Sequence, residues 1–207
     1  AAVEWDKSAV STLRNRLEKK WGYSDVSSRV IHFDIQRTEE LIEGYFGDEA
    51  YGSSRGLETL VNNCKIDAVI GGPPCQAYSV AGRIRDENGM HDDYRNFLFE
   101  SYIKVVERFK PRACIFENVQ GMLSASPGGI SIVDRVTKAF DKAGYYISSN
   151  LRKDALFDTA EFGVPQKRLR VIIIAVNKSE FSEYERVVSD FYNELNSLKS
   201  KSISTVS

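Results

Sequence analysis

Short apolar runs alternate with amphipathic stretches along most of the 207 residues. Residues 1–5, "AAVEW", predict a strand. Asp6 is placed to cap a helix from about Lys7 to Trp21, with Val10, Leu13, Leu17 and Trp21 on one face. A second strand is expected over 29–33, "RVIHF", closed by Asp34, then a helix over 39–46 and a loop over 47–56. A short helical stretch leads to Cys64, and "DAVIG" (67–71) reads as a strand. It has so few polar positions that both its faces are expected to be covered.

Residues 73–93 form a long polar segment containing glycines, of the kind that is more often functional than idle. A strong helix follows over 96–109, then Pro111 and a strand over 112–117. A helix near 130–143 leads to "YYISSNL" (145–151), and "LRVIIIAV" (169–176) is the most apolar strand of all. Phe181, Tyr184, Val188, Phe191, Leu195 and Leu198 recur at helical spacing before a tail rich in serine and lysine. The tail reads as linker or disorder.

Strands alternating with helices predict an α/β domain: a mainly parallel, Rossmann-like sheet with helices on both faces and right-handed crossovers. Ligands of such sheets bind beyond the carboxyl ends of the strands. Glu4, Asp34, the turn "GGPPC" (71–75) and Glu117 all fall at such ends.

Composition narrows the choice of function. With 28 basic and 29 acidic residues the formal charge is -1, which argues against a uniformly basic nucleic-acid binder but leaves local patches such as "GRIR" and "QKRLR". No apolar run has the length of a membrane span, and no signal peptide is visible, so no membrane partner is expected. Cys64, Cys75 and Cys114 are too widely spaced for a zinc ligand set or a disulfide framework, so no metal is expected. Cys64 and Cys114 read as small buried hydrophobes, and the setting as reducing and cytoplasmic.

Cys75 stands apart. Pro73 and Pro74 fix the backbone just before it, and Gly71 and Gly72 allow a ligand or another chain segment to come close. A thiol presented this way is a candidate nucleophile. Glu117, in "FENV" (116–119), ends a strand that can lie beside the thiol turn, which makes it a candidate general acid or a structural carboxylate. In "QKRLR", Gln166, Arg168 and Arg170 alternate and share one side if extended, where arginines could clamp phosphate or a polar base edge or simply face solvent. Glu4 could hold ribose hydroxyls with Trp5 stacked on a purine, and Asp34 could accept from an exocyclic amine; each has the alternative of a helix cap or core edge.

Taken in order, "GGPPCQAYS", "FENV" and "QKRLRVIIIAV" resemble the motifs of the cytosine carbon-5 DNA methyltransferases, and "VEWD" and "HFDI" resemble two early cofactor motifs of that family. The resemblance runs from Ala1 to about Val176. It implies S-adenosyl-L-methionine as methyl donor and a cytosine flipped out of duplex DNA. It makes Cys75 the nucleophile at carbon 6, Glu117 the partner of ring nitrogen 3 and Arg170 the contact to the base oxygen. Arg168 would orient the site or a phosphate. Glu4 would hold the cofactor ribose, Trp5 and Ile35 would flank its adenine, Asp34 would bond its amine, and Pro74 and Leu98 would line the same pocket. The segment 77–96 would close over DNA.

Two departures accompany the resemblance. The glycine-rich first motif has no match ahead of Ala1, and the target-recognition region and last motifs have none after the apolar strand. The expected organisation is therefore a partial catalytic domain over 1–177, incomplete at its N-terminus, and a helical segment and tail over 178–207 leading toward a recognition region. Restriction–modification in a bacterial cytoplasm is the expected context. The alternatives are a tRNA cytosine methyltransferase and a truncated, non-catalytic binding or partner chain.

Overall fold

The computed structural model describes residues 1–73 and 98–200, and these fall into two compact units divided between Lys65 and Ile66. In the first unit, β1 (Ala2–Glu4) pairs in parallel with β2 (Val30–His32), in the register Ala2 to Val30, Val3 to Ile31 and Glu4 to His32. Between them run α1 (Lys7–Trp21) and the single turn α2 (Val26–Arg29). Asp6 caps α1 as expected, its carboxylate accepting from the Ala9 N–H at 2.8 Å. Of the predicted apolar face only Val10 is buried, and Trp21 stands in solvent. The helix is tied down instead by Arg14, whose Nη2 donates to the Val30 carbonyl at 2.6 Å.

After α3 (Thr38–Glu43) the chain departs from expectation. The helix stops before Gly44, whose φ of 110° lies outside the helical range. Residues expected to end a helix and form a loop instead pair as an antiparallel hairpin, β3 (Tyr45–Asp48) with β4 (Gly52–Ser54). Asp48 builds the turn by accepting from the N–H groups of Ala50 and Tyr51, each at 2.9 Å. Tyr45 stacks on Phe33 with ring centroids 4.2 Å apart. Arg37 bridges Glu40 and Asp48, and both carboxyls are held below their usual range by these bonds. After α4 (Gly56–Val61), Asn62 and Asn63 both take positive φ and turn Cys64 outward. Cys64 is exposed, not the buried hydrophobe the sequence predicts.

The second unit holds a five-stranded sheet: β5 (Ala68–Gly71), β6 (Ala113–Val119), β7 (Tyr145–Tyr146), β8 (Leu156–Asp158) and β9 (Leu169–Asn177). The order is β5-β6-β9-β7, with β8 also on β9. β5 and β6 are parallel, from Ala68 opposite Ala113 to Gly71 opposite Phe116, and β9 runs antiparallel to β6. Among the described residues the unit's α-helices are α5 (Leu98–Phe109), α6 (Ile132–Lys142), α7 (Leu151–Asp154) and α8 (Tyr184–Ser197). Their apolar faces join the sheet in one core that includes Tyr102, Val106, Phe116, Phe140, Ile173 and Tyr192. The predicted α/β class stands.

One local expectation does not. Among the described residues β5 hydrogen-bonds to β6 alone, and Ile70 is 71% exposed instead of covered. Of "YYISSNL" only the two tyrosines are strand. The polar residues behind them start a helix: Asn150 caps α7 through the Lys153 N–H, and Ser148 donates to Asp154 at 2.5 Å. Among the described residues no helix is long and apolar enough to cross a membrane.

Candidate functional site

The second unit places the expected acid and one of the expected arginines in contact. Strand burial alternates along β6, so Phe116 and Asn118 face the core while Glu117 lies on the other side, half-exposed. Glu117 stands opposite Ile172 of β9, and Arg170 opposite Val119. The two are therefore diagonal neighbours on one face of an antiparallel pair. Arg170 Nε lies 2.9 Å from Glu117 Oε1, and its Nη1 donates to the Leu169 carbonyl at 2.7 Å.

The glycine turn meets this pair directly. A Cβ on Gly72 would sit 2.8 Å from Glu117 Oε2, and one on Gly71 would sit 2.6 Å from Cε2 of Tyr102. Neither distance leaves room for a side chain, so the two glycines answer to two different neighbours: an aromatic ring in the core and the carboxylate of the site. Tyr102, on α5, shares its one hydroxyl proton between the carbonyls of Val69 (3.0 Å) and Ile115 (3.3 Å), which bridges β5 and β6. Asn118 uses both ends of its amide: Oδ1 accepts from the Val119 N–H at 2.7 Å, and Nδ2 reaches the Pro73 carbonyl at 3.5 Å. The chain leading toward Cys75 is thus fixed at Gly71, Gly72 and Pro73. Pro74, Cys75 and the segment 77–96 lie outside the described residues.

Arg168 is not brought to Glu117. It is exposed and precedes β9; its N–H donates to Asp158 Oδ1 at 3.0 Å and its carbonyl accepts from the Thr159 N–H at 3.1 Å. Thr159 also donates its hydroxyl to the Gln166 carbonyl at 2.8 Å, so the loop from 159 to 168 is pinned at its base. Leu98 opens α5 and is buried. Cys114 is fully buried beside Tyr102; burial pushes its thiol up to about 12 and the phenol of Tyr102 well above its ordinary range. A thiol held neutral in the core is no nucleophile.

In the first unit the strand ends carry a second group. Glu4 is partly buried and its Oε1 accepts from the Asp6 N–H at 2.8 Å, shaping the bend that presents Trp5. Trp5 is 64% exposed. Asp34 accepts from the backbone N–H of Gln36 at 2.9 Å and from the Gln36 amide at 3.3 Å, so its carboxylate is already partly occupied. Ile35 is half-buried, its carbonyl accepting from the Thr38 hydroxyl at 2.7 Å. An exposed indole with carboxylates at two adjacent parallel strand ends suits a purine nucleoside. No group of three or more histidine, cysteine or acidic side chains among the described residues could hold a metal ion.

Sequence reasoning missed three residues of these surroundings. Tyr102 reads only as one more apolar position on an amphipathic helix. Asn118 lies inside a quoted motif, but its spacing assigns it no partner. His32, whose ring nitrogen meets the Trp5 carbonyl, reads as a strand residue.

The chain is 42% identical over 164 residues to the Type II methyltransferase M.Bpa9945I of Bacillus paralicheniformis, covering 71% of this chain and 36% of that protein. It is 38% identical over 181 residues to the Type II methyltransferase M.AquIA of a Picosynechococcus species, covering 84% of this chain and 60% of the relative. A crystal structure described as a DNA modification methyltransferase of an E. coli prophage shares the fold at a TM-score of 0.55 with 23% identity, covering 86% of this chain and 40% of that one. The chain spans about a third of the length of M.Bpa9945I and 30% of that of M1.HphI of Haemophilus parahaemolyticus. The family model of the C-5 cytosine-specific DNA methylases matches residues 1–206, and the chain belongs to that family.

Proposed function

We propose that this chain carries catalytic-domain residues of a bacterial, cytoplasmic Type II enzyme that methylates carbon 5 of cytosine in duplex DNA. One observation carries the reading most: the Glu117 carboxylate is bound by Arg170 and lies against the Gly72 backbone, two residues before Pro74 and three before Cys75. A carboxyl and a guanidinium aligned beside a thiol turn suit a cytosine ring, which offers nitrogen 3 and a carbonyl oxygen on one edge.

Carbon 5 of cytosine is a weak nucleophile. The Cys75 thiolate adds at carbon 6, the ring electrons move toward carbon 5, and Glu117 gives or shares a proton at nitrogen 3 so that no unshielded anion forms. Arg170 holds the base oxygen and keeps Glu117 in line. Arg168, exposed on its pinned loop, meets the DNA phosphate. The cofactor, S-adenosyl-L-methionine, supplies an electrophilic methyl group. Once carbon 5 is substituted, its proton passes to solvent water, the electron pair of that bond re-forms the ring double bond as the thiolate leaves, and nitrogen 3 returns its proton to Glu117.

In the first unit, Glu4 holds the cofactor ribose, Trp5 and Ile35 flank the adenine, and Asp34 receives its amine. The residues fit: Glu4 keeps Oε2 outside the bond to Asp6, and Trp5 presents an open ring face. On this reading residues 178–207 lead toward target recognition.

The test uses the intact protein with S-adenosyl-L-methionine and a duplex containing 5-fluorocytosine, whose carbon 5 has no proton to lose. A covalent complex stable to denaturant, absent in Cys75→Ser, is expected. Adducts on tRNA but on no duplex would move the substrate to RNA, and adducts on neither would overturn the reading.

A further inference from the structure

Trp5 is largely exposed, yet its backbone is held. The Trp5 carbonyl lies 2.9 Å from Nε2 of His32. A carbonyl can only accept, so Nε2 carries the proton in this contact. His32 stands opposite Glu4 in the parallel ladder, and the next N–H, that of Phe33, donates to the Glu4 carbonyl at 3.1 Å. The imidazole therefore adds a side-chain rung just where the backbone ladder ends and the bend begins.

His32 is itself fixed from its other side. Tyr51 meets the imidazole edge-on, with ring centroids 5.0 Å apart, and the Tyr45 hydroxyl donates to the His32 carbonyl at 3.4 Å. Both tyrosines belong to the hairpin of residues 45–54. Its turn is built on Asp48, which in turn holds Arg37 at 2.7 Å. Contacts thus run without a break from the hairpin through His32 to the bend at Trp5.

We infer that His32 is a positioning residue, buttressed by the hairpin: its Nε2–H fixes the Trp5 carbonyl and so holds the exposed indole ready for the adenine ring of S-adenosyl-L-methionine. The bend is already tied on its far side by the Glu4–Asp6 bond, and whatever freedom is left at the Trp5 carbonyl would have to be ordered on binding. The donor removes that ordering from the binding step. This inference rests on the reading of Glu4, Trp5 and Asp34 as the nucleoside site.

Calorimetric titration of the intact protein with S-adenosyl-L-homocysteine tests it, using His32→Leu, His32→Gln and Trp5→Ala. His32→Leu removes the donor and weakens binding by about five- to tenfold, as expected for one lost hydrogen bond. His32→Gln keeps an N–H donor at similar reach and recovers affinity to within about twofold of wild type, on the same scale. In turnover, His32→Leu raises KM for the methyl donor and leaves kcat unchanged. If Trp5→Ala weakens binding while His32→Leu does not, or if Leu and Gln weaken it equally, the role of His32 is refuted and the nucleoside site survives. If Trp5→Ala leaves affinity unchanged, the nucleoside site is wrong and the role of His32 goes with it.

Discussion

Arg170 Nε lies 2.9 Å from Glu117 Oε1, across two antiparallel strands and one diagonal step apart. The pair is half in solvent on the Glu117 side, so its contribution to folding is small, below about 1 kcal/mol. On the proposed reading its contribution to chemistry is large. Glu117→Gln is expected to cut single-turnover methyl transfer by about 10²- to 10⁴-fold, the range for a positioned acid–base group. Arg170→Leu should fall in the same range, and the double variant should lose far less than the product of the two. Thermal melts of all three should stay close to wild type. A large drop in melting temperature with intact transfer would mean the pair is structural.

Gly71 and Gly72 are adjacent, but alanine should act on them in different ways. At Gly71 the new methyl meets the Tyr102 ring at 2.6 Å inside the core. Gly71→Ala is therefore an overpacking change, expected to cost about 1–3 kcal/mol in urea unfolding. At Gly72 the methyl meets the Glu117 carboxylate at 2.8 Å, a half-exposed side chain that can swing away. Gly72→Ala should leave stability nearly intact while methyl transfer falls along with the displaced acid. Equal stability losses at both positions would contradict the assignment of two separate neighbours.

These glycines also show how far the sequence is legible. "GGPPC" announces a stiff turn, and the apolar run in "RACIFE" announces a strand ending at Glu117. Neither says which side chain the glycines must clear. That depends on the parallel register setting Gly71 opposite Phe116, which only the folded sheet displays. Asp6 was legible as a cap because the relevant distance is three residues along one chain. The hairpin at 45–54 was not, because its pairing rests on positive-φ glycines and on Asp48 closing a turn, while the local pattern still looks helical up to Phe46. Arg168 and Arg170 look equivalent in "QKRLR", and only the register of β9 against β6 separates the one that meets Glu117 from the one in the pinned loop.

Asn118 is buried, and its amide serves both the Val119 N–H and the Pro73 carbonyl. Asn118→Ala leaves the partly buried Val119 N–H without its acceptor, at a cost of about 1 kcal/mol. Asn118→Asp keeps the acceptor for Val119 but sets an anionic oxygen against the Pro73 carbonyl. Its methyl transfer should therefore fall more than its stability, and the ratio of the two losses should exceed that of Asn118→Ala. Chemical denaturation alongside single-turnover transfer measures both. If Asn118→Asp transfers methyl groups as fast as wild type, the tie to Pro73 has no part in placing the turn.

Cys114 makes a prediction about pH. An unfolded thiol titrates at about 8.5, while burial pushes the folded one up to about 12. The folded state therefore keeps its proton over a range in which the unfolded chain has lost it. The stability this confers is fully present below about pH 8.5 and declines as pH rises toward the folded value. Comparing urea midpoints of wild type and Cys114→Ala at pH 7 and pH 10 isolates the thiol from the tyrosines around it, whose pKa values burial also raises. The advantage of wild type over the variant should shrink at the higher pH. Alkylation by iodoacetamide at pH 9, read by peptide mass spectrometry, gives an independent check: the exposed Cys64 is modified quickly and Cys114 only after unfolding. Native-state labelling of Cys114 as fast as that of Cys64 would show that the core around Tyr102 opens well before the domain unfolds.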